Sequence, residues 1–522
     1  MARILVADAL AEDGIARLKE AGEVVVRTGL DEAELTAAVP GFDALVVRSA
    51  TRVTARVIEA ADVLRVIGRA GVGVDNIDVD AATRHGVLVV NAPRGNIAAA
   101  AEHTIALLLA AARWVPQADA SVRRGEWQRS RYTGIEIRGK TLGVIGLGNI
   151  GTEVAKRAQG LEMEVLAFDP AVPAERAEQH NVALVALDQL LQVSDFVSLH
   201  VPLVEATRGL IGARELALMK PRARLVNAAR GGIVDERALF EALRSGRLAC
   251  AASDVFEHEP PGESPLLTLP NFIATPHIAA STEEAQTSVA FDVAEEVCAV
   301  LAGELPRHTV NAPALPPEEL AFLRPFTELA EKLGALHVQL DGGRVAALEM
   351  TYEGEVAEHD AALLTAAAIR GLVAPFVEDR VNAVNARLVA TQRGIRLMER
   401  RTARSSSSYP SLVTLRVGDA ELAGTVLFGE PRVIGIGAFR VDFVPAGRFL
   451  VSRHQDRPGV VGRFGTILGS HDINIASMQV GRRAKRDRAI VVLTLDEDLT
   501  AAQIDELQRI MDADFARMIR LA

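Results

Sequence analysis

The 522-residue chain has only two cysteines, Cys250 and Cys298, and it has no hydrophobic run of membrane-spanning length. Two isolated cysteines supply neither a metal-ligand spacing nor a disulfide framework, so each is expected to be a small buried residue in a reducing compartment. The longest apolar stretch, Thr104–Ala112, is too short to cross a bilayer. The first residues predict a strand running into an acidic turn rather than a signal peptide. These features predict a cytoplasmic protein with no membrane partner and no bound metal.

Positive charge is also scarce. The chain carries 57 Lys and Arg residues against 68 Asp and Glu, a net charge of −11. It has no long basic block, which argues against a nucleic-acid partner. The basic cluster Arg482–Arg488 is predicted to be the solvated tip of a hairpin. A chain of this length exceeds one hydrophobic core, so about three to four domains are expected.

Predicted strands alternate with helices up to about residue 300. This alternation is typical of parallel sheets with helices on both faces. It predicts an α/β fold with two doubly wound domains facing each other across a cleft. The helical segments Ile97–Val115 and Thr282–Leu301 are the predicted crossings, and the second returns the chain to the first domain. The predicted strands are Ile4–Ala7, Glu23–Val26, Ala44–Val47, Val66–Gly68, Val87–Val90, Thr141–Ile145, Glu164–Phe168, Asp195–His200, Arg224–Asn227, Cys250–Asp254 and Phe272–Ala274.

The pattern changes after the proline-rich segment Gly303–Pro317, which predicts a linker. Beyond it, a helix over Leu320–Leu336, alternating strands such as Val345–Tyr352 and a polar loop at Arg400–Tyr409 predict an α+β domain without a chemical motif. Residues 448–522 follow the order βαββαβ, which is the ferredoxin-like arrangement.

A glycine-rich loop is the clearest sign of a ligand. Gly146, Gly148 and Gly151 follow a buried strand and open a helix in the pattern G-x-G-x-x-G. The first glycine allows a tight turn, the second lets a pyrophosphate approach the backbone beside free helix N–H groups, and the third lets helix pack on strand. Asp169 ends the next strand, where a carboxylate binds the ribose hydroxyls and repels a 2′-phosphate, so NAD is favoured over NADP. The alternative is that Asp169 only caps a turn before Pro170.

Downstream loops carry the residues that hydride transfer would need. Oxidising a 2-hydroxy acid requires a base for the hydroxyl proton and a cation for the substrate carboxylate. His277 suits the first task because an unperturbed histidine has a pKa of about 6.5, and Arg230 suits the second because its fork matches a carboxylate. A carboxylate beside the histidine would orient its ring, and both Glu257 and Glu259 are candidates. A structural histidine and plain surface charges are the alternatives.

The segments around these residues resemble the D-isomer-specific 2-hydroxyacid dehydrogenase family. The resemblance is carried, in order, by Gly146–Gly151, Asp169, Val226–Glu236, Asp254–Pro260 and Pro276–Thr282. It implies that Arg230, Glu259 and His277 are the catalytic set, which leaves Glu257 without a role. The cofactor contacts that it implies are Val72, Gly146, Gly148, Asn149, Ile150, Gly151, Asp169, Val201, Ala228, Ala229, Arg230, Asp254, His277 and Ala280. Relatives often have hydroxyl residues in place of Val72 and Val201, so contacts at these two are expected to be through backbone or packing.

The N-terminal region resembles the substrate loops of the same family at Val46–Thr51, Arg69–Ile77 and Asn91–Asn96. The resemblance implies that the anionic ends of the substrate are held by arginines and that one further arginine reaches a neighbouring subunit's site. The implied substrate residues are Arg48, Ser49, Arg69, Asn96 and, from the neighbour, Arg129.

The C-terminal region resembles an ACT domain, an amino-acid-binding regulatory module, through His454–Gly459 and Asp472–Ile475. The resemblance implies that L-serine binds between two such modules, at His454, Asp456 and Asn474. It also implies a homo-oligomer, with a tetramer expected.

The expected domains are a substrate-binding domain (1–98 and 282–312), an NAD-binding Rossmann domain (99–281), an intervening domain like that of longer family members (318–447) and the ACT domain (448–522). The implied activity is NAD-dependent oxidation of 3-phospho-D-glycerate to 3-phosphohydroxypyruvate, the first step of serine biosynthesis. One alternative is a glyoxylate or hydroxypyruvate reductase of the same family, whose members usually lack the two C-terminal domains. The others are a nucleotide-sensing binding protein on the same fold and an amino-acid sensor with an inactive dehydrogenase.

Overall fold

The computed structural model describes residues 1–304, 306–313, 315–342, 345–377 and 381–521. Leu305 and Ala314 of the predicted linker, and Ala522 at the end of the predicted ACT domain, lie outside these ranges. Four sheets of five, seven, six and four strands organise the described chain. The α/β class with two doubly wound parallel sheets is confirmed.

The first sheet is parallel, in the order β2-β1-β3-β4-β5. Its strands are almost wholly apolar because both faces are covered: Leu5 and Leu45 point into one core, and Ile4 and Val46 into the other. Its elements are β1 (Ala2–Val6), α1 (Glu12–Ala21), β2 (Gly22–Val26), α2 (Glu32–Ala38), β3 (Ala44–Val47), α3 (Ala55–Glu59), β4 (Val66–Arg69), α4 (Val79–Arg84) and β5 (Leu88–Asn91).

The second sheet is also parallel, in the order β12-β11-β10-β9-β6-β7-β8. The order reverses between β6 and β9, and such a switch point is where doubly wound sheets bind ligands. The elements of this domain are α5 (Ile97–Arg113), α6 (Val115–Arg123), β6 (Thr141–Ile145), α7 (Asn149–Gly160), β7 (Glu164–Phe168), α8 (Ala174–Glu178), β8 (Ala183–Leu184), α9 (Leu187–Val193), β9 (Phe196–Leu199), α10 (Ala213–Leu218), β10 (Arg224–Asn227), α11 (Glu236–Arg244), β11 (Cys250–Ser253) and β12 (Phe272–Ala274).

Two helices connect the domains. Helix α5 packs into the core of the second sheet, and α12 (Glu283–Ala302) returns to pack Val293 and Val297 on the first. The predicted helix Ile97–Val115 is too long: Trp114 has a φ of 58°, a left-handed conformation that ends α5 and starts α6. No single helix within the described ranges is long and apolar enough to cross a membrane, and α5 and α6 meet that criterion only as a pair bent by 65°.

The predicted linker after α12 is fixed to the first sheet at residues 310 and 311, which lie within the expected bounds of the first domain. Val310 donates its backbone N–H to Val89 of β5 at 2.8 Å, and the Asn311 side chain bonds to the backbone of Val89 and Val87. These hydrogen bonds attach the segment to the edge strand of the first sheet.

The third sheet is mixed, in the order β14-β13-β15-β16-β17-β18. The predicted polar loop Arg400–Tyr409 begins too early, because β14 continues to Thr402 and pairs in parallel with β13. The predicted strand Val345–Tyr352 lies two residues later, at Ala347–Gly354. The elements are α13 (Pro317–Asp341), β13 (Ala347–Gly354), α14 (Ala362–Val373), α15 (Ala386–Gln392), β14 (Arg396–Thr402), β15 (Ser411–Val417), β16 (Ala420–Leu427), β17 (Glu430–Ile436) and β18 (Phe439–Phe443).

The last unit has the predicted βαββαβ order, with its sheet arranged β20-β21-β19-β22. One face of the sheet packs on its own helices. The other shares a core with the third sheet, where the rings of Phe443 and Phe449 lie 5.3 Å apart. The elements are β19 (Gly447–Gln455), α16 (Val460–Ser470), β20 (Ile475–Arg482), β21 (Arg488–Leu495), α17 (Ala501–Met511) and β22 (Ala513–Leu521).

Candidate active site

A cleft lies between the two doubly wound domains, and it is lined mainly by loops that follow strands. Both sheets contribute, as the switch-point rule predicts. The cleft brings together eleven of the residues proposed for catalysis, cofactor and substrate: Arg48, Ser49, Arg69, Val72, Asn96, Ile150, Ala228, Ala229, Arg230, His277 and Ala280.

The glycine loop has the geometry of a dinucleotide cradle. Gly146 has a φ of 95°, and a Cβ there would lie 2.9 Å from Val201 Cγ1. A Cβ on Gly151 would lie 2.0 Å from the Gly146 carbonyl oxygen, so the helix packs directly on the turn. A Cβ on Gly148 would meet nothing within 4 Å. The loop therefore has two glycines that packing requires and one that faces open space, where a phosphate can approach the backbone.

Asp169 is fixed beside this loop. One carboxylate oxygen accepts the Leu147 N–H at 2.8 Å, and the other accepts the Ala171 N–H at 2.9 Å. The residue thus caps the turn after β7 and also borders the glycine loop. A contact with the cofactor ribose stays a prediction.

Arg230 lies on a turn that is stabilised by the side chain of Asn227. The buried side chain of Asn227 donates to the Arg230 carbonyl at 2.9 Å and accepts the Ala229 N–H at 3.1 Å. A Cβ on Gly231 would lie 1.9 Å from the Phe256 carbonyl oxygen, so this turn admits only glycine. The Arg230 side chain is 30 % exposed and reaches the first domain, where its Nε donates to Asp75 at 3.1 Å.

His277 and Glu259 form the titratable pair. His277 Nδ1 lies 2.7 Å from Glu259 Oε2, and the other oxygen of Glu259 accepts the Phe256 N–H at 3.0 Å. Because a carboxylate only accepts, Nδ1 carries the proton in the neutral ring, and Nε2 is then the atom with a free lone pair. Among the described residues, no hydrogen bond or ion pair joins Glu257 to His277, and the Glu257 backbone N–H donates to Glu236. The geometry therefore selects Glu259 as the partner of His277.

Asp254 supports the histidine loop. Its side chain is fully buried and accepts hydrogen bonds from the Thr275 hydroxyl at 2.6 Å and from the Ile278 and Ala279 N–H groups at 2.9 and 2.8 Å. Burial opposes the charged form, but these bonds and one from His103 outweigh it and hold the pKa of Asp254 below its usual value. Asp254 thus braces the segment carrying His277, whose φ is 52°. Direct contact with NAD stays a prediction.

The substrate side of the cleft is strongly cationic. Burial, with Arg230 and Arg48 nearby, lowers the pKa of Arg69 to about 10, so it still carries its charge at neutral pH. Arg69 Nε and Asn96 Oδ1 are buried without a hydrogen-bond partner among the described residues. Buried polar groups are normally satisfied, so two such atoms are unusual, and both belong to residues that line the cleft.

Several proposed residues lie outside the cleft. Gly146, Gly148, Asn149, Gly151 and Asp169 border it at the glycine loop, Val201 packs behind Gly146, and Asp254 lies buried beneath the histidine loop. Arg129 does not reach the cleft of its own chain: it lies in an exposed turn, 5.6 Å from the ring of Trp127, which is 73 % exposed. Its predicted role in a neighbouring subunit stays a prediction.

Sequence reasoning gave no role to three residues that the structure places behind the reacting groups: His103, Asn227 and Thr275. It also gave none to Asp75, an exposed carboxylate that contacts Arg230 from the first domain. His103 Nε2 lies 3.2 Å from Thr275 Oγ1 and 3.3 Å from Asp254 Oδ1. Thr275 precedes the Pro-His pair, and Asn227 opens the arginine turn, so adjacency to a motif was the available signal for both. His103, in the middle of an apolar helix, carried no such signal.

The proposed serine residues do not meet within one chain. Gln455 pairs with Arg488 and Ile475 with Leu495, so Asp456 and Asn474 lie at opposite ends of the module's sheet. Asp456 accepts the Arg486 N–H at 3.0 Å, and Asn474 donates to Asp496 at 2.6 Å. His454 is buried, which lowers its pKa.

The two cysteines are free and buried, as predicted. Burial raises the pKa of Cys250 to about 12, so its thiol stays protonated. The described residues contain no group of three or more His, Cys, Asp or Glu side chains arranged to hold a metal ion.

Comparison with known proteins gives three matches to family models, in order along the chain. They are the D-isomer specific 2-hydroxyacid dehydrogenase NAD binding domain (residues 105–279), the D-3-phosphoglycerate dehydrogenase intervening domain (322–437) and the ACT domain (448–510). The chain is 46 % identical to D-3-phosphoglycerate dehydrogenase of Archaeoglobus fulgidus, covering 99 % of this chain and 100 % of the relative. It is also 46 % identical to the Methanocaldococcus jannaschii protein of that name, over 100 % of both. A solved structure of Aquifex aeolicus D-lactate dehydrogenase, complexed with NAD and lactic acid, is 28 % identical with a TM-score of 0.54, covering 59 % of this chain and 99 % of that one.

Proposed function

The chain belongs to the D-3-phosphoglycerate dehydrogenases, which are NAD-dependent oxidoreductases. On this premise we propose that it uses NAD to oxidise 3-phospho-D-glycerate to 3-phosphohydroxypyruvate, with Arg230, Glu259 and His277 as its catalytic residues. One observation carries the assignment of residues: the His277–Glu259 pair, 2.7 Å apart, opens onto a cleft that also contains three arginines.

The residues at the glycine loop fit NAD. Gly148 leaves open space above the backbone at the N-terminus of α7, and Asp169 borders the loop where a ribose hydroxyl needs an acceptor. Bound NAD supplies the acceptor for the hydride that leaves C2 of the substrate.

His277 is the general base of the oxidation. Its Nε2 accepts the proton of the C2 hydroxyl as the C2–O bond becomes a carbonyl, and in the reverse direction the same atom returns the proton. Glu259 holds Nδ1–H and stabilises the imidazolium that forms, so the ring keeps one tautomer and one orientation.

The arginines match the two anionic ends of the substrate. Arg230 and His277 line the same cleft and both come from the second domain, so Arg230 suits the carboxylate next to C2, which a guanidinium binds through a planar fork. Arg48 and Arg69 come from the first domain and suit the phosphate. Binding therefore requires both domains, which favours reaction in the closed cleft.

The decisive experiment is an NADH absorbance assay across a panel of 2-hydroxy and 2-keto acids. We expect 3-phosphohydroxypyruvate to exceed glyoxylate and hydroxypyruvate in kcat/KM, because only it uses the arginines at both ends. Substituting His277→Asn should lower turnover by about 10²–10⁴ while NADH still binds. A preference for glyoxylate, or near-normal turnover of the variant, would contradict the proposal.

We further propose that L-serine regulates the enzyme from a site between two ACT domains. Asp456 and Asn474 lie at opposite ends of one module, and β20 is an edge strand of its sheet. Two modules pairing antiparallel along β20 would bring Asp456 of one chain close to Asn474 of the other. Asp456 would then hold the ammonium of serine and Asn474 its carboxylate, with His454 beside them.

The charges of the module support this antiparallel pairing. One end of β20 is basic and the other is acidic, so antiparallel strands would place opposite charges together. The basic end is Arg482, Arg483, Lys485, Arg486 and Arg488, and the acidic end is Asp472, Asp496, Glu497 and Asp498.

The regulatory proposal is tested by measuring activity against L-serine concentration, with light scattering for mass. Wild type should be a homo-oligomer, with a tetramer expected, and serine should change its activity. Asn474→Ala should lose the response and keep its catalysis, whereas Gln508→Ala, on the helical face of the same module, should keep both. A wild type that neither binds nor responds to serine would refute the regulatory reading alone.

A further inference from the structure

The guanidinium of Arg230 already holds a carboxylate. Its Nε donates to Asp75 Oδ2 at 3.1 Å, and its Nη1 donates to the neighbouring Ala229 carbonyl at 2.7 Å. The loop that carries Asp75 also presses on the same group, because a Cβ on Gly73 would lie 2.1 Å from Nη2. A first-domain carboxylate therefore occupies one edge of the arginine that the second domain offers to the substrate.

We propose that Asp75 is a resident competitor for Arg230, displaced by the substrate's own carboxylate, and that it thereby sets the substrate affinity of the enzyme. The inference rests on the proposed function, since it takes Arg230 as the carboxylate-binding residue. Asp75 is then neither a catalytic nor a positioning residue, because its bond to Arg230 breaks before the chemistry begins.

Asp75 can leave at low cost. Its side chain is 67 % exposed, and ion pairs this exposed contribute little to stability. Its loop is held by other bonds: the Asn76 side chain donates to the carbonyls of Arg48 and Thr51, and the Asn76 carbonyl accepts the Val53 N–H. The loop keeps its shape whether Asp75 faces Arg230 or solvent.

The carboxylate of Asp75 also offsets positive charge in the cleft. Arg230 and Arg48 lie close enough to Arg69 to oppose its charge, and Asp75 offsets part of that repulsion. A ligand that brings its own carboxylate replaces this compensation, whereas a ligand without one does not.

The test compares Asp75→Asn with Asp80→Asn, an exposed carboxylate on α4 that does not contact Arg230. Asp75→Asn keeps an acceptor for Nε but removes the charge. We expect its KM for keto acid to fall about two- to fivefold, the range of an exposed ion pair, with kcat and the KM for NADH nearly unchanged. The fall should be equal for 3-phosphohydroxypyruvate and hydroxypyruvate, because both carry the carboxylate. Asp80→Asn should change KM less, and high salt should shrink the difference.

Three outcomes would overturn the proposal. A raised KM with a lowered kcat would make Asp75 a positioning residue for Arg230. An improvement confined to the phosphorylated substrate would mean that Asp75 repels phosphate instead. An equal effect of Asp80→Asn would reduce the change to general charge.

A binding measurement separates this proposal from the proposed function. D-glycerate and 3-phosphoglycerate are titrated by calorimetry into the complex with NADH, which cannot turn over. Tighter binding of D-glycerate by Asp75→Asn than by the wild type supports the displacement of Asp75 by the ligand's carboxylate. It does so even if the wild type fails to oxidise 3-phosphoglycerate, and that failure would contradict only the substrate assignment. Equal binding of D-glycerate by wild type and variant overturns the role of Asp75 whatever the substrate is.

Discussion

Replacing Asp254 with Asn should damage the active site far more than so small a change suggests. The carboxylate is buried, and its two oxygens accept one hydroxyl and two backbone N–H groups from the segment that carries His277. Asparagine has the same shape, but one of its two terminal positions is a donor. Whichever way the amide turns, an NH₂ group faces an N–H that needs an acceptor.

The free-energy cost of Asp254→Asn follows from the hydrogen bond that the asparagine cannot accept. If the amide oxygen serves Thr275 and Ile278, the Ala279 N–H, which belongs to a buried residue, is left unsatisfied. An unsatisfied buried donor costs about 1–3 kcal/mol. That energy falls on a segment already holding His277 at positive φ, so local opening should become about 5- to 150-fold more frequent.

Hydrogen exchange of the peptide spanning residues 275–281 measures this opening directly, and steady-state kinetics measures its consequence. We expect faster exchange there and a lowered kcat in Asp254→Asn, with global unfolding little changed. Asp235→Asn is the matched control, because that carboxylate accepts the single Ala238 N–H of a helix cap, which asparagine serves equally well. Native exchange protection together with normal turnover in Asp254→Asn would refute the bracing role.

Three further results are expected. Glu259→Gln should lower kcat within the 10²–10⁴ range of acid–base catalysis and add little to His277→Asn in the double variant, whereas additive losses would show that the two residues act independently. Asp169→Ala should raise the Kd for NAD in a fluorescence titration and narrow its advantage over NADP; a wild type indifferent to the 2′-phosphate would contradict this. Burial lowers the pKa of His200 to about 4 in the folded protein. Between about pH 6.5 and pH 4 the histidine is therefore protonated in the unfolded chain but neutral in the folded one. The free energy of unfolding should therefore decrease as the pH is lowered from about 6.5 to about 4. The loss should be no more than about 2 kcal/mol, because the His200 side chain is only partly shielded from solvent. In denaturant titrations, the free energy of unfolding of His200→Gln should depend less on pH over this range.

Much of the fold could be predicted because its signals are local. Alternating apolar runs and helices indicate parallel sheets, and the turn chemistry of Gly146 and Gly151 fixes where the cofactor strand meets its helix. The errors lie where tertiary contacts override local pattern. Trp114 breaks a helix that its apolar neighbours would continue, and β14 includes the arginines Arg400 and Arg401 because β13 offers a partner strand. The segment before α13 has linker composition, yet it binds the edge of β5.

The site was predictable as a set of motifs but not as a set of bonds. Spacing alone left Glu257 and Glu259 equal, and only the folded loop directs Glu259 toward His277. The pairing of Arg230 with Asp75 joins residues 155 positions apart on different domains, and no local pattern reports it. No local pattern reports the contacts of His103 either, because it lies within a mainly apolar helix.

Each motif in the cleft contains residues beyond the one that reacts, because the exposed reacting side chains depend on buried neighbours for their position. The groups that react must be reachable, so the side chains of His277 and Glu259 are 46 % and 38 % exposed. Exposed side chains on loops are not held by packing, and hydride transfer tolerates little misplacement. Buried polar neighbours supply the missing rigidity: Asn227 fixes the arginine turn, and Asp254 fixes the histidine loop. Arg230 and His277 are therefore each accompanied by a buried residue that holds the local backbone, and loss of that buried residue should lower activity by displacing the exposed one.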